Sequence, residues 1–128
     1  MLYVEEPEFY KVLQINAAHP IKLTRIAMRS SVGAGKPCVV LNVASMSGLV
    51  GTYPAALYTA SKHAVVGFTK SMAQADIDEN VKVVAICPGV VATPLWTQRD
   101  DAVAKQMGYT DEIGITPEEV AEAMLELV

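Results

Sequence analysis

The chain has 128 residues, of which 52% are hydrophobic and 19% are charged, and it carries a net charge of −4. This length suits a single domain, and an acidic balance without a basic stripe argues against nucleic acid as a partner. No stretch approaches the roughly 18 apolar residues of a membrane span, and the N-terminus lacks a basic segment followed by an apolar one, so we expect a soluble, cytoplasmic protein without membrane contact.

The first predicted element is a helix from Phe9 to about Ser31, because apolar residues recur there at three- and four-residue spacings. The segment Val32-Gly33-Ala34-Gly35 is expected to end it. Pro20 lies inside this helix and has no amide hydrogen to donate to the carbonyl of Asn16. We therefore expect a bend at Pro20 and an Asn16 carbonyl that needs another donor, with bulk water as the simple alternative.

Two apolar runs, Cys38 to Ala44 and Val81 to Cys87, predict strands covered on both faces. A second helix is predicted between them, from about Ala56 to Ile77. Strand, helix and strand in this order form a βαβ unit with parallel strands. The loop after the first strand and the first turn of the second helix then lie at the carboxyl end of that strand, which is where open α/β sheets bind ligands.

The last third of the chain gives weaker signals. Residues 94–115 have mixed polarity and little periodicity, which predicts an irregular or partly helical flap. Thr116 is then expected to cap a final helix, with Pro117 at its first position and Glu119 completing a capping box. The two cysteines lack a CxxC spacing and the two histidines are too few for a ligand set, so we expect free thiols and no metal site.

The most informative segment is Tyr58-Thr59-Ala60-Ser61-Lys62, which begins thirteen positions after Ser45. Residues four apart on a helix share a face, so the Tyr58 hydroxyl and the Lys62 ammonium can converge on one small volume. A free phenol, with a pKa of about 10, is a poor acid or base at neutral pH, but a nearby cation in a dry cleft stabilises the phenolate. The pair predicts proton transfer to a carbonyl oxygen, with an aromatic ring packed on an aliphatic stem as the simple alternative.

Ser45, the segment from Tyr58 to Lys62 and the later run Pro88-Gly89-Val90-Val91-Ala92-Thr93 together resemble the short-chain dehydrogenase/reductase family. The resemblance implies an α/β fold, a partial Rossmann-like doubly wound parallel sheet in which residues 1–128 form one incomplete domain with two central strands. Within the family, residues 61–69 and 86–89 are most similar to members resembling prostaglandin 15-hydroxy dehydrogenase and to fungal members.

The resemblance also implies roles for individual residues. Tyr58 would be the general acid/base in the interconversion of a secondary alcohol and a ketone, and Ser45 would orient the reacting oxygen. Lys62 would stabilise the phenolate and bind the nicotinamide ribose of NAD or NADP, a choice that the sequence leaves open. Asn16 falls where the family has an asparagine whose main-chain carbonyl holds a relay water. The cofactor-binding residues would be Tyr58, Lys62, Pro88, Gly89, Val91 and Thr93.

Simpler roles stay open for several of these residues. The Ser45 hydroxyl can cap a turn, and Thr93 can be a turn residue before Pro94. Leu95 and Trp96 can line the substrate pocket, but simple packing explains Trp96 equally well.

Two features that the family places before these motifs are missing. The sequence contains no Gly-x-x-x-Gly-x-Gly turn of the kind that cradles a pyrophosphate, and no Asn-Asn-Ala-Gly segment. We therefore expect a fragment, the later half of the family's domain without its last strand, that is sticky and inactive alone. In intact relatives the two long helices pack against a second subunit, which implies a homodimer or homotetramer acting on a small alcohol or ketone.

Two other functions remain open. The chain could be a catalytically dead truncated paralogue, or a gene-model fragment, that at most dimerises. It could also be an extended family member such as a sugar-nucleotide epimerase, which uses a tyrosine and a lysine at the same spacing. The Ala-Ser-Lys ending of the tyrosine motif and the short Pro-Gly-Val-Val-Ala-Thr loop favour a dehydrogenase.

Overall fold

The computed structural model describes residues 10–94 and 114–128. The chain divides into two compact units, Met1–Cys87 and Pro88–Val128. The predicted flap lies almost entirely in residues 95–113, outside the described residues, as do Leu95 and Trp96. No helix in the described parts of the chain is long and apolar enough to cross a membrane.

The first unit begins with a helical segment that changes its pitch. Helix α1 spans Lys11–Leu13, a π turn follows at Gln14–Ala18, and helix α2 spans His19–Ala34. Pro20 lies in the first turn of α2, where its missing amide hydrogen costs least. The irregularity expected near Pro20 is therefore a π turn just before the proline, a feature that often marks functional sites. The helix continues past the predicted end near Ser31 and stops at Gly35, whose φ of 62° favours glycine.

The sheet in the described residues has two strands. Strand β1, Cys38–Val43, pairs in parallel with strand β2, Val81–Ile86, so that Cys38 lies opposite Val81 and Val43 opposite Ile86. This pairing confirms the predicted βαβ unit.

The connection between the strands is mainly helical. Two short 3₁₀ turns, Met46–Gly48 and Tyr53–Ala55, lead into helix α3, Ala56–Ser71, and helix α4, Ala75–Glu79, follows. The prediction of one helix to Ile77 was wrong. The helix ends where the Met72 amide is shared between the Phe68 and Thr69 carbonyls, a tightened last turn that lets the chain change direction before β2.

One face of the sheet carries the core. Two groups of side chains pack between the strands and the helices; their buried members are Ala44, Val65 and Val66 in one, and Ala75, Val81 and Val83 in the other. On the opposite face Val39 is 39% exposed and Val43 is 51% exposed. The prediction that these strands are covered on both faces was therefore wrong for β1, and an apolar sheet face is left open, as expected for a partial domain.

The second unit contains the final helix. Val91 and Ile115 form an isolated parallel bridge, and helix α5 spans Pro117–Leu125. The predicted capping box is confirmed, because the Thr116 hydroxyl accepts from the Glu119 amide while the Glu119 carboxylate accepts from the Thr116 amide. The bond from the Thr116 amide, together with a second bond that the Thr116 hydroxyl donates to the carboxylate at 3.0 Å, lowers the pKa of Glu119.

Candidate active site

The first two turns of α3 place Tyr58 and Lys62 on one face, as their spacing predicts. The Lys62 ammonium lies 5.6 Å from the centroid of the Tyr58 ring. Its Nζ also donates a hydrogen bond to the Val43 carbonyl at 3.0 Å, which fixes it at the carboxyl end of β1. Tyr58 is 37% exposed, so a substrate can reach its side chain from solvent.

The sheet leaves the Val43 carbonyl available to this lysine. In a parallel pair, alternate residues of a strand direct their backbone groups toward the neighbouring strand. The Ala44 amide bonds the Ile86 carbonyl and so points toward β2. The Val43 carbonyl consequently points toward the outer edge of β1, where Lys62 reaches it.

Partial burial changes the pKa of the Lys62 ammonium. Removal from water lowers the pKa of this ammonium, and its interaction with Cys87 opposes that effect by a smaller amount. Burial therefore strengthens any attraction between Lys62 and a phenolate, because the effective dielectric constant falls, while it also makes the ammonium a better proton donor.

Ser45 caps the turn that follows β1. Its side-chain oxygen accepts a hydrogen bond from the Ser47 amide at 3.2 Å and so closes the 3₁₀ turn at Met46–Gly48. The capping role considered as the simpler alternative for Ser45 is thus present. It uses only an oxygen lone pair, so the hydroxyl proton remains able to donate to a reacting oxygen.

Gly48 brings the Ser45 loop against the motif helix, and sequence reasoning missed it. A Cβ at this position would lie 2.8 Å from the Lys62 carbonyl oxygen and 2.9 Å from Cγ2 of Val66, closer than carbon atoms can pack. Only glycine therefore allows the loop to lie on the backbone of α3 at Lys62. The sequence gives no sign of this, since Gly51 in the same loop has no atom within 4 Å of an added Cβ.

Asn16 reaches the motif through a residue that sequence analysis did not single out. Its Nδ2 donates to the Ser61 hydroxyl at 3.4 Å, and Ser61 Oγ donates to the Tyr58 carbonyl at 2.6 Å. Ser61 is completely buried. The π turn is thereby linked to the first turn of α3, whereas the role of the Asn16 main-chain carbonyl stays a prediction.

A second polar pair, of which one member is buried, fixes α3 on the sheet. Asn42 of β1 is buried, and its Nδ2 donates to the Thr69 hydroxyl at 3.2 Å. A buried amide in an apolar strand is costly unless it is bonded, so this pair favours one register of α3 over β1. It was not predicted, because Asn42 lies within an otherwise apolar run.

The predicted cofactor loop belongs to the second unit. There the Thr93 amide donates to the Val91 carbonyl at 2.8 Å, and the Ala92 amide donates to the Ile115 carbonyl at 2.9 Å. The contacts expected of Pro88, Gly89, Val91 and Thr93 with a nicotinamide stay predictions.

A tyrosine and a half-buried lysine on one helix face, at the carboxyl end of a parallel strand, define a site for acid–base chemistry in an α/β fold. The family model described as short chain dehydrogenase matches residues 1–104. The chain therefore belongs to the short-chain dehydrogenase family, which confirms the resemblance inferred from its motifs.

The chain is similar to curated proteins and to solved structures of that family. It is 28% identical to 15-hydroxyprostaglandin dehydrogenase [NAD(+)] of Rattus norvegicus, with 96% of this chain and 52% of the relative covered. It is 33% identical to the short-chain dehydrogenase/reductase cdmF of Talaromyces verruculosus, with 92% of this chain and 51% of the relative covered. The chain thus spans about half the length of these relatives.

Solved structures share the fold of this chain. A 4-hydroxyisoleucine dehydrogenase complexed with NADH and succinate superposes with a TM-score of 0.81 at 29% identity, covering 98% of this chain and 53% of that one. ElxO with NADP bound gives a TM-score of 0.81 at 23% identity, covering 99% and 53%, and supports the fold alone. The prediction of a partial Rossmann-like α/β fold is confirmed.

Proposed function

We propose that this chain is the catalytic half of an NAD(P)-dependent oxidoreductase that interconverts a secondary alcohol and a ketone in the cytoplasm. The observation that carries the proposal is the Lys62 ammonium, held by the Val43 carbonyl and 5.6 Å from the Tyr58 ring. A phenol beside a partly buried cation is suited to exchange a proton with a substrate oxygen.

The residues divide the reaction between them. Oxidation of an alcohol removes a proton from oxygen and a hydride from carbon; Tyr58 Oη takes the proton, and Ser45 donates a hydrogen bond that orients the same oxygen. A nicotinamide dinucleotide, when bound, would accept this hydride, and its reduced form would supply the hydride in the reverse direction. Asn16 anchors the relay water through its main-chain carbonyl.

The donor set fits part of such a cofactor. Lys62 is a hydrogen-bond donor at the carboxyl end of a parallel strand, the edge where α/β sheets bind nucleotides, and it suits ribose hydroxyls. The cofactor-facing loop would add Pro88, Gly89, Val91 and Thr93. NADH in the 4-hydroxyisoleucine dehydrogenase structure makes NAD one candidate, and the sequence leaves NADP open as well.

The main competing function is an inactive chain that at most dimerises through α2 and α3. Exposed apolar side chains on α2 favour it as a second candidate, since Leu23 and Ile26 are 65% and 64% exposed. The same surface is compatible with a homodimer or homotetramer of the active enzyme.

Cofactor binding separates the two functions. We expect the chain alone to give no saturable fluorescence change with NADH or NADPH, because no glycine-rich turn is present in its sequence to hold the pyrophosphate. Adding the N-terminal half of a related dehydrogenase should restore saturable binding. Tight binding by the chain alone would contradict the half-domain proposal, and no binding in the mixture would favour the inactive chain.

The role of Tyr58 is tested in that mixture with a panel of secondary alcohols. Tyr58→Phe should lower kcat by at least about 100-fold, the contribution typical of a general acid/base, while cofactor affinity stays nearly unchanged. Tyr53→Phe is the matched control, because Tyr53 is 89% exposed in the preceding turn. Equal turnover in Tyr58→Phe and Tyr53→Phe would remove Tyr58 from the mechanism.

A further inference from the structure

Ser61 lies between Asn16 and Tyr58, two residues of the proposed proton relay. Its hydroxyl oxygen accepts from Asn16 Nδ2 at 3.4 Å and its proton goes to the Tyr58 carbonyl at 2.6 Å, in a position with no solvent exposure. We propose that Ser61 is a positioning residue that holds the π turn at Gln14–Ala18 against the first turn of α3, and so keeps Asn16 and Tyr58 at a fixed separation. This inference rests on the proposed function.

The donor and the acceptor in each of these two hydrogen bonds can be assigned in only one way. A serine hydroxyl has one proton, and the short bond to the Tyr58 carbonyl uses it. The remaining lone pairs can only accept, so Asn16 must present its amide nitrogen and not its amide oxygen. An aspartate at position 16 would have the same shape but no proton to donate.

The hydrogen bonds of Ser61 matter for the proposed relay because they support the π turn that contains Asn16. A π turn has weaker packing than an α-helix and persists where tertiary contacts support it. Ala17, next to Asn16, is buried, and the His19 amide donates to the Gln14 carbonyl in the wide-turn pattern. Because the main-chain carbonyl of Asn16 lies within this turn, its direction depends on the turn being kept in place.

The test uses the full chain labelled with nitrogen-15. Ser61→Ala should move the side-chain amide signals of Asn16, assigned with Asn16→Ala, toward the position of a water-exposed amide. Hydrogen exchange of the His19 amide should also accelerate about five- to tenfold, the factor that corresponds to one lost neutral hydrogen bond. Asn16→Asp keeps the shape of the side chain and should accelerate the same exchange, which provides a test if Ser61→Ala does not fold.

Ser71→Ala is the matched control. Ser71 also donates to a carbonyl of α3, that of Gly67 at 2.9 Å, but it is exposed at the far end of the helix. It should leave both the Asn16 signals and the His19 exchange unchanged. Unchanged His19 exchange in Ser61→Ala and Asn16→Asp, or an equal effect in Ser71→Ala, would overturn the inference.

Turnover in the mixture with a glycine-rich half separates positioning from simple stabilisation. Ser61→Ala should lower kcat about tenfold, as expected for a misplaced catalytic group, while KM for the cofactor stays within about twofold. An unchanged kcat would show that Ser61 only stabilises the fold. If the unmodified chain does not turn over at all, the proposed function fails, and the exchange measurements still decide whether Ser61 holds the π turn.

Discussion

Lys62 meets two opposing requirements. It must leave water far enough for its charge to act on the Tyr58 phenol, yet each step of desolvation disfavours that charge. The Val43 carbonyl resolves part of the conflict, because a hydrogen bond to an edge carbonyl replaces a lost water. Its lowered pKa is the remaining cost.

This cost predicts a pH dependence of stability. The folded-state pKa of Lys62 lies below the value of 10.5 expected for the unfolded chain, so the unfolded state binds more protons between the two values. The Lys62 contribution to the free energy of unfolding is therefore unfavourable at neutral pH and is relieved as pH rises through the lowered pKa toward 10.5. Urea denaturation gives the free energy of unfolding of the chain and of Lys62→Met at each pH. As pH rises through this window, the value for the unmodified chain should increase relative to that of Lys62→Met.

A control is needed for the loss of positive charge. Lys70→Met removes an exposed lysine from the same helix. If the difference between the unmodified chain and Lys62→Met is independent of pH, or matches that of Lys70→Met, burial of Lys62 is not the cause.

Among the elements, the contact between the Ser45 loop and α3 depends on one missing methyl group. Gly48→Ala forces a Cβ to within 2.8 Å of the backbone oxygen of Lys62, and backbone cannot move aside cheaply. We expect a loss of about 1–3 kcal/mol in the free energy of unfolding, typical of overpacking, and a displaced Ser45. Gly67→Ala on α3 meets no atom within 4 Å and should instead stabilise the helix by about 0.5–1 kcal/mol. Urea titrations in which Gly48→Ala is as stable as Gly67→Ala would refute the close contact.

The elements also show what sequence can predict. Both strands and the capping box at Thr116 follow from local patterns, and the structure places them within a residue or two of their predicted bounds. The break after Ser71 could not be predicted, because Met72 and Ala73 are good helix formers and the turn is imposed by the return to β2. The candidate site shows the same division between local patterns and tertiary contacts. The spacing of Tyr58 and Lys62 can be read from the sequence, whereas Gly48 and Ser61 act through contacts that form only when the helices pack.

At the scale of the whole molecule, the described residues form a sheet with one face covered by helices and the other face largely exposed. The continuous apolar pattern of β1 is that of a strand buried on both sides, but Val39 and Val43 are substantially exposed. The chain spans about half the length of the relatives it matches, and a continuous apolar pattern is typical of a strand inside a sheet that is covered on both faces.

The open sheet face predicts self-association of the isolated chain. Apolar side chains beside an unpaired strand edge attract other chains, and a charge on that face opposes pairing. Val39→Lys adds a second positive charge to this face at the start of β1, beside Lys82 on β2. The change lies away from the Val43 carbonyl that holds Lys62, so it should reduce association without disturbing the site. Sedimentation velocity should show a shift toward monomer. Ile77→Lys is the matched control, since Ile77 is 80% exposed on α4. An equal shift in that variant would mean that general surface charge, and not the open face of β1, governs association.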